Sequence, residues 1–293
     1  MRINRASLAA AGLTLAVLAA LAFGARCMSL TMVSCSVTSL WQDQAQLDVP
    51  YAGTRPEVVA AMLELASVGP QDHVVDLGTG DGRILIAAAR DRGARGVGVD
   101  LDAGLIARAQ RSARSEGVEA RVTFRTEDLF RTPLAEATVL TMFLLPEVNL
   151  RLRPRILSDM RPGARVVSHA FDMADWRPDA ATRVGGSRLY LWVVPARVEG
   201  RWRMVRAEGG AAELTLRQSF QRLEGTLAAG GRSVPVRDGR LNGAHIRFAA
   251  GDGGAAALYE GIVRGDTIEA RPGTGAWRAT RVESGPGAVT PRE

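Results

Sequence analysis

The stretch HVVDLGTGDGR, which runs from His73 to Arg83, decides the fold of this chain. Its first five residues form a short, mostly apolar run that is typical of a buried strand, and three glycines follow within the next six residues. Glycine adopts positive φ at little steric cost and lets the backbone approach a ligand closely. In open α/β sheets such a strand-to-helix turn lies at the carboxyl edge, where ligands bind. The stretch therefore predicts a fold class and the position of a ligand site together.

The sequence around this stretch alternates between helix and strand from about Tyr51 to Pro195. We predict strands at 73–77, 96–100, 122–125, 138–143, 165–170 and 189–194, and helices at 84–92, 103–116 and about 147–160. A first helix is predicted to begin in a capping box formed by Thr54 and Glu57, with Pro56 in its first turn. Short apolar strands that alternate with helices indicate a parallel, doubly wound α/β sheet.

The charges around the glycine-rich turn indicate which ligand it binds. A dinucleotide fingerprint needs a small residue three positions after Gly80, and that position holds Arg83. Asp76 and Asp81 would also place carboxylates beside a pyrophosphate, which needs donors and positive potential instead. S-adenosylmethionine has no phosphate, and its sulfonium and ammonium groups favour nearby carboxylates. The turn therefore favours S-adenosylmethionine over a dinucleotide.

Acidic residues also follow the next two predicted strands. Asp100 ends the second strand, twenty residues after the middle glycine of the turn, a spacing at which a carboxylate accepts hydrogen bonds from ribose hydroxyls. Asp128 follows the third strand, where it can accept from an adenine amino group while Leu101 and Leu129 pack on the ring. With Asp76, acids stand after three successive strands. Chance surface acids are not expected in that arrangement, so the set predicts a cofactor site.

The chain resembles the class I S-adenosylmethionine-dependent methyltransferases, which have a Rossmann-like sheet. Within that class it is similar to the protein-lysine methyltransferases of the ATP synthase c-subunit and adenine nucleotide translocase type, and to their bacterial relatives. The resemblance covers residues 49–195 and is carried by 49–51 with Thr54, by 75–84, by 128–129, by 144–146 and by 175–179. In two places the chain departs from the family: Asp100 stands where members often have Glu, and Ala52-Gly53 weakens the usual proline-rich approach to Thr54.

The turn, the acids and the resemblance together give one set of expected cofactor-binding residues. They are Thr54, Asp76, Gly78, Thr79, Gly80, Asp81, Asp100, Leu101, Asp128 and Leu129. On the acceptor side, methyl transfer needs a nucleophile held in line, and an amine must be neutral to react. Glu147 and Asn149 are the candidate catalytic residues, and both are equally well explained as residues that cap the helix there. The sequence FLLPEVN at 143–149 lacks the Asp/Asn-Pro-Pro-Tyr element of DNA-base methyltransferases, which argues against base methylation.

The amino-terminal residues have the form of a membrane anchor. An uncharged run, residues 6–25, follows Arg2 and Arg5 and is closed by Arg26; about 20 apolar residues can span a bilayer. We predict an anchor in residues 1–27, with a cleaved signal segment as the alternative, followed by a tether at 28–48. A membrane-associated protein is therefore expected. The supply of the methyl donor favours the cytoplasmic face, whereas the arginine distribution favours export.

The last third of the chain has a different pattern. Short alternating stretches are separated by glycine-rich turns about every ten residues, which is typical of an antiparallel meander. We predict a methyltransferase domain at 49–196, an all-β domain at 197–284 that closes into a small barrel, and a tail at 285–293.

The composition excludes several other functions. Arginine supplies all 37 basic residues and the chain has no lysine, so chemistry that needs a protein amine is excluded. The net charge of +6 is spread along the chain, so nucleic acid is not an expected partner. Cys27 and Cys35 both precede the folded part and the three histidines are scattered, so we expect no metal site.

The expected function is an S-adenosylmethionine-dependent methyltransferase, an enzyme of class EC 2.1.1. The resemblance implies a protein lysine as the methyl acceptor, with a protein substrate as partner and a membrane protein as one candidate. Two alternatives stay open: transfer to a small-molecule or lipid-like amine or hydroxyl, and a non-catalytic envelope protein whose β-domain binds a ligand. The intact set of three acids disfavours the last alternative.

Overall fold

The structure is a computed structural model that describes residues 53–207, 209–251, 256–273 and 275–284. In this part of the chain, a seven-stranded sheet with helices on both faces is followed by a closed eight-stranded barrel. The predicted combination of a Rossmann-like sheet and a β-barrel is confirmed. The predicted domain ranges, 49–196 and 197–284, stay predictions.

The sheet and its helices account for residues up to 193. The helices are α1 Pro56–Leu65, α2 Arg83–Arg92, α3 Ala103–Ser115 and α4 Pro146–Asp159. The strands are β1 His73–Leu77, β2 Arg95–Asp100, β3 Val122–Thr126, β4 Val139–Met142, β5 Arg165–His169, β6 Ala180–Val184 and β7 Ser187–Val193. Their order in the sheet is β3-β2-β1-β4-β5-β7-β6. The first five are parallel neighbours, so their carboxyl ends share one edge.

The far side of the sheet differs from the wholly parallel prediction. β7 lies antiparallel between β5 and β6, and β6 was not predicted. β6 is an edge strand with half-buried ends and an exposed middle, so its sequence lacks the apolar alternation that identifies a strand. Gly185 and Gly186, both at positive φ, form the hairpin that turns the chain back into β7.

The central strands of the sheet are buried on both faces. Val74 belongs to the cluster under α1, α2 and α3, and its neighbour Val75 belongs to the cluster under α4. Successive side chains of a strand point to opposite faces, so a strand covered on both sides reads as a continuous apolar run. This is why the central strands were predictable from the sequence.

The start of α1 corrects the predicted capping box. The N-cap residue is Arg55, and no side chain caps the helix there. The Thr54 hydroxyl lies instead 3.2 Å from Nδ1 of His169, and Glu57 forms an ion pair with Arg55 at 3.2 Å. Pro56 in the first turn supplies a preset φ and has no N–H that needs a partner. The Thr54 side chain, which the local sequence assigned to the helix cap, therefore makes a long-range contact with His169 instead.

The barrel has eight strands that neighbour one another in chain order. They are β8 Gly200–Arg206, β9 Ala211–Ser219, β10 Arg222–Ala229, β11 Arg232–Asn242, β12 His245–Ala250, β13 Ala257–Arg264, β14 Thr267–Ala270 and β15 Trp277–Ser284. β15 pairs with β8 and closes the barrel. Buried side chains such as Trp202, Leu241 and Phe248 form its core. The predicted closed meander is confirmed.

The predicted membrane-associated location is overturned. Within the described residues, no helix has the length and apolar character that crossing a membrane requires. The longest described helix, α4, has 14 residues, about 21 Å at 1.5 Å per residue, whereas a bilayer core is about 30 Å thick. The segment 1–27, predicted as an anchor or a signal, the tether 28–48 and the tail 285–293 lie outside the described residues.

Candidate functional site

The glycine-rich turn lies at the carboxyl end of β1 and leads directly into α2. Gly78, Gly80 and Gly82 have φ values of 71°, 55° and 80°. The amides of Gly78 and Thr79 both donate to the carbonyl of Val99, at 3.0 and 2.9 Å. These bonds tie the turn to the neighbouring strand β2. The turn therefore needs left-handed backbone at each of its three glycines, as the sequence predicted.

Asp76 lies beneath the turn and is 1% exposed. One carboxylate oxygen accepts a hydrogen bond from the hydroxyl of Thr79 at 2.7 Å, and the other accepts from the hydroxyl of Thr141 at 2.6 Å. Burial raises the pKa of Asp76 to about 6, and the two hydroxyl bonds act in the opposite direction. The carboxylate therefore joins the turn to β4. Its bonds favour a role in positioning the turn.

Asp100 lies at the end of β2 and faces the turn. One oxygen accepts from the amide of Gly80 at 2.9 Å, and the other accepts from the amide of Asp102 at 3.0 Å. Each carboxylate oxygen has further lone-pair capacity, so these bonds leave room for the ribose hydroxyls that the sequence assigned to Asp100.

Asp128 follows β3 on the same edge. One of its oxygens accepts from the amide of Phe130 at 2.8 Å, and the other lies 3.8 Å from Nε of Arg131. Leu129 beside it is buried and Leu101 is half-buried. An acid with two apolar neighbours at this edge fits an adenine, which has an amino donor and a flat apolar ring.

Asp81 and Thr54 are placed differently from the expectation. Asp81 forms a two-point ion pair with Arg83, with N–O distances of 2.8 and 2.6 Å. A further nitrogen of Arg83 donates to the carbonyl of Thr54 at 2.8 Å. The Asp81 charge is therefore largely neutralised, and these contacts link the chain before α1 to the start of α2. The geometry favours a structural role for both residues at the rim of the site.

The part of the edge formed by the ends of β4 and β5 is aromatic, which the sequence analysis did not predict. The rings of Phe143, after β4, and His169, at the end of β5, lie 3.9 Å apart between centroids. Phe171 lies 6.5 Å from Phe143 and nearly parallel to it. Burial, with a smaller contribution from the charge of Arg55, lowers the pKa of His169, so its imidazole is neutral near pH 7. The available sequence signal was the pair of aromatic residues that follow two strands of the predicted sheet.

The two candidate catalytic residues lie in different environments. Glu147 is exposed in the first turn of α4. Asn149 is fully buried, and its Nδ2 lies 3.3 Å from the hydroxyl of Ser168 and 3.4 Å from the carbonyls of Phe171 and Asp172. Asn149 therefore supports the chain that follows β5 through its Nδ2, while its buried Oδ1 has no hydrogen-bond partner among the described residues. The catalytic role of either residue stays a prediction.

The residues at the edge fit S-adenosylmethionine. Three carboxylates can accept hydrogen bonds from the ribose and the adenine and attract the positively charged groups, the glycines let the backbone approach the ligand, and two leucines offer apolar surface to the adenine ring. Within the described part of the chain, no group of three or more His, Cys, Asp or Glu is arranged to hold a metal ion.

This fold and this site define a class I S-adenosylmethionine-dependent methyltransferase. Residues 76–180 match the family model of the ANTKMT methyltransferase domain. The chain is 40% identical over 151 residues to a protein-lysine N-methyltransferase of Saccharolobus islandicus, a match that covers 50% of this chain and 94% of that protein. The chain belongs to this methyltransferase family, and S-adenosylmethionine is its methyl donor.

Two further similarities extend the comparison. The chain is 33% identical over 149 residues to the adenine nucleotide translocase lysine N-methyltransferase of Mus musculus, a match that covers 51% of this chain and 65% of the mouse protein. A solved structure of an RNA methyltransferase from Salinibacter ruber, in complex with S-adenosyl-L-homocysteine, is 47% identical. That match covers 50% of this chain and 96% of the other, with a TM-score of 0.49.

Proposed function

We propose that this protein transfers the methyl group of S-adenosylmethionine to the side-chain amine of a lysine in another protein. The observation that carries the proposal is the aromatic wall of Phe143, His169 and Phe171 beside the cofactor edge. An aromatic wall attracts an ammonium group through its ring faces and at the same time displaces water from it. Desolvation lowers the pKa of an amine and so favours the neutral, reactive form.

The names of the relatives support the same acceptor. The archaeal relative is a protein-lysine N-methyltransferase, and the mouse relative is a lysine N-methyltransferase of a translocase. Because this chain contains no lysine, it cannot methylate its own lysines. The acceptor must therefore be a lysine of a different protein.

The chain's own residues would bind the methyl donor, orient the acceptor amine and exclude water from it. Bound S-adenosylmethionine supplies a methyl group on a positively charged sulfur. Asp100 and Asp128 hold the ribose and adenine, and Phe143 and Phe171 keep water from the acceptor nitrogen. That nitrogen forms the new bond to carbon, the sulfur keeps the electron pair of the broken bond, and water takes the proton lost by the amine. Positioning and desolvation supply most of the acceleration in such a reaction.

Tritium transfer tests the proposal. The purified protein is incubated with methyl-tritiated S-adenosylmethionine and proteins extracted from cells that lack its gene. We expect label in methyl-lysine after acid hydrolysis, and none with a Gly80→Val enzyme as control. The rate should rise with pH as the neutral amine becomes more abundant, toward an amine pKa of about 10.4 or lower. Label recovered only in small molecules, lipid or nucleic acid would overturn the lysine acceptor in favour of that other acceptor.

A further inference from the structure

The chain between β5 and β6, residues 170–179, follows a strained path beside the aromatic wall. We call it the β5–β6 segment. Ala170 and Ala174 have φ values of 69° and 54°, in the left-handed region that alanine avoids. Each such residue costs about 1–2 kcal/mol, so the surrounding structure must hold the segment in place. The same segment contains Phe171, whose position therefore depends on that support.

One set of supports comes from the sheet and α4. Asn149 holds the start of the segment through the carbonyls of Phe171 and Asp172. Arg153 of α4 donates to the carbonyl of Met173 at 2.8 Å and forms an ion pair with Asp175. These contacts fix the first half of the segment.

The second half of the segment is held by the barrel. Phe220 and Gln221 form the two-residue turn between β9 and β10. The Phe220 ring stacks on the buried ring of Trp176, with centroids 5.8 Å apart and planes 13° apart. Nε2 of Gln221 donates to the carbonyl of Arg177 at 2.7 Å. In all, this turn fixes the segment with one apolar contact and one polar contact.

An ion pair adds a third contact from the barrel. Arg240 of β11 lies 2.9 Å from the carboxylate of Asp179, the last residue of the segment. The other oxygen of Asp179 accepts from the amide of Val193 in β7, also at 2.9 Å. The carboxylate thus connects the barrel, the segment and the sheet at a single point.

The barrel is itself strained where it makes these contacts. Phe220 has a φ of 53° at a turn position that favours glycine, and Asp238 has a φ of 51° within the irregularity of β11 just before Arg240. The described part of the chain has five non-glycine residues at positive φ: Ser67, Ala170, Ala174, Phe220 and Asp238. Ala170 and Ala174 lie in the segment and Phe220 lies in the turn that packs on it, while Asp238 lies two residues before Arg240. Residues held at positive φ without being glycine persist only where the surrounding structure holds them, and they cluster at functional sites.

We propose that the barrel is a brace for the acceptor side of the active site, and that Phe220, Gln221 and Arg240 are positioning residues. They hold the second half of the β5–β6 segment directly. Phe220 also reaches the first half, which contains Phe171, through Arg153, whose guanidinium lies over the Phe220 ring at 5.4 Å. The brace acts on the acceptor and leaves the cofactor half of the site unchanged. This inference rests on the proposed function in one respect: the activity assay uses a protein as the methyl acceptor.

The test compares variants of the full chain at saturating S-adenosylmethionine, with extracted protein as the varied substrate. Phe220→Ala should raise the protein concentration that gives half-maximal rate by about fivefold or more, and Phe220→Tyr should restore the wild-type value. The dissociation constant for S-adenosylmethionine should stay within about twofold. Phe220→Gly removes the ring and also relieves the backbone strain, so it should show the same acceptor defect in a well-folded protein.

A matched pair of arginine variants controls for loss of a surface ion pair. Arg240 and Arg278 are about equally exposed, and Arg278 of β15 forms an ion pair with Glu269 of the neighbouring barrel strand β14. Arg240→Ala should raise the acceptor concentration that gives half-maximal rate about two- to threefold, and Arg278→Ala should leave it unchanged. Hydrogen exchange gives a second measurement: amides of 171–177 should exchange faster in Phe220→Ala, and amides of 78–82 should not.

Two outcomes separate the inference from the proposed function. If wild-type protein puts no label into lysine, the proposed acceptor is wrong, and hydrogen exchange still tests the brace. If Phe220→Ala and Phe220→Gly leave both the acceptor concentration and the exchange of 171–177 unchanged, the brace is wrong. Equal loss of acceptor and cofactor binding would also overturn it, because it would indicate a general folding defect.

Discussion

Two halves of the sheet edge are held in different ways. We call the ends of β1, β2 and β3 the cofactor half, and the ends of β4 and β5 with the β5–β6 segment the acceptor half. In the cofactor half, Asp100 bonds to an amide 20 residues away, and Asp128 bonds to an amide two residues away. In the acceptor half, the bond from Thr54 to His169 spans 115 residues and the pair of Arg240 with Asp179 spans 61. The cofactor half is therefore mostly encoded in local motifs. The acceptor half is encoded in contacts between distant parts of the chain, including a barrel that lies beyond the matched family domain.

This contrast predicts where substitutions act. Changes in the cofactor half should weaken binding of S-adenosylmethionine whatever the acceptor is, whereas changes in the acceptor half should leave that binding intact. Three residues of the cofactor half test this contrast. Two are compared with a residue of similar local geometry elsewhere in the chain, and the third is compared with a neutral substitute for its own side chain.

The largest effect is expected for Gly80→Val. A β-branched residue is strained at the φ of 55° that the turn requires, at the position whose amide donates to Asp100. Calorimetry should show no measurable binding of S-adenosylmethionine. Gly117→Val is the control, since Gly117 has a φ of 68° with open space around it. Both variants should lose about 1–2 kcal/mol of stability, and only the first should lose the cofactor. Wild-type affinity in Gly80→Val would show that the turn is not the binding site.

A smaller effect is expected for Asp100→Ala. The substitution removes the acceptor of the Gly80 amide and the proposed ribose acceptor, so binding should weaken by about 1.5–3 kcal/mol. The control is Asp102→Ala, two residues along, where the aspartate caps α3 through the amides of Gly104 and Leu105. That variant should lose about 1 kcal/mol of stability and no affinity. Titration calorimetry and thermal unfolding together separate the two results. Equal affinities in the two variants would contradict the role assigned to Asp100.

The smallest effect concerns Asp76 and pH. Its pKa is raised to about 6 in the folded protein from an ordinary value of 3.8. Between these values the folded state binds more protons than the unfolded state, so this residue's contribution to stability falls as pH rises from about 4 to 6. Asp76→Asn should therefore unfold at a higher temperature than wild type at pH 7.5, and the two should converge near pH 4.

The same carboxylate should make cofactor affinity depend on pH. A positively charged ligand favours the ionised form, so wild-type affinity should fall about three- to tenfold from pH 8 to pH 5. Asp76→Asn should bind more weakly at pH 8 and show little change over that range. A wild-type affinity that is flat with pH would mean that the charge of Asp76 does not act on the cofactor.

Several elements were predictable because their signals are local. β1 begins and ends where the apolar run does, and the predicted ends of β2, β3 and β5 differ from the structure by one residue. β1 and β5 are buried along nearly their whole length, so burial and sequence pattern coincide there. The first four residues of β3 alternate between buried and exposed, which is the other pattern that identifies a strand. β6 was missed because an exposed edge strand has no such pattern. The barrel was predictable from the spacing of its turns, whereas the contact between Phe220 and Trp176 was not, because Phe220 reads as an ordinary turn residue.

By itself, the sequence determined the sheet, the glycine-rich turn, the acids at three strand ends and therefore the methyl donor. All of these depend on residue type and on spacings of one strand-and-helix unit, fewer than thirty residues between successive acids, which the geometry of a parallel sheet converts into neighbours in space. Only the tertiary structure decided that Thr54 binds His169, that Asp76 is tied to Thr141, and that the barrel supports the β5–β6 segment. These contacts join residues 44 to 115 positions apart. They depend on the order of the strands in the sheet and on how the barrel packs against it. No local sequence pattern predicts either of these.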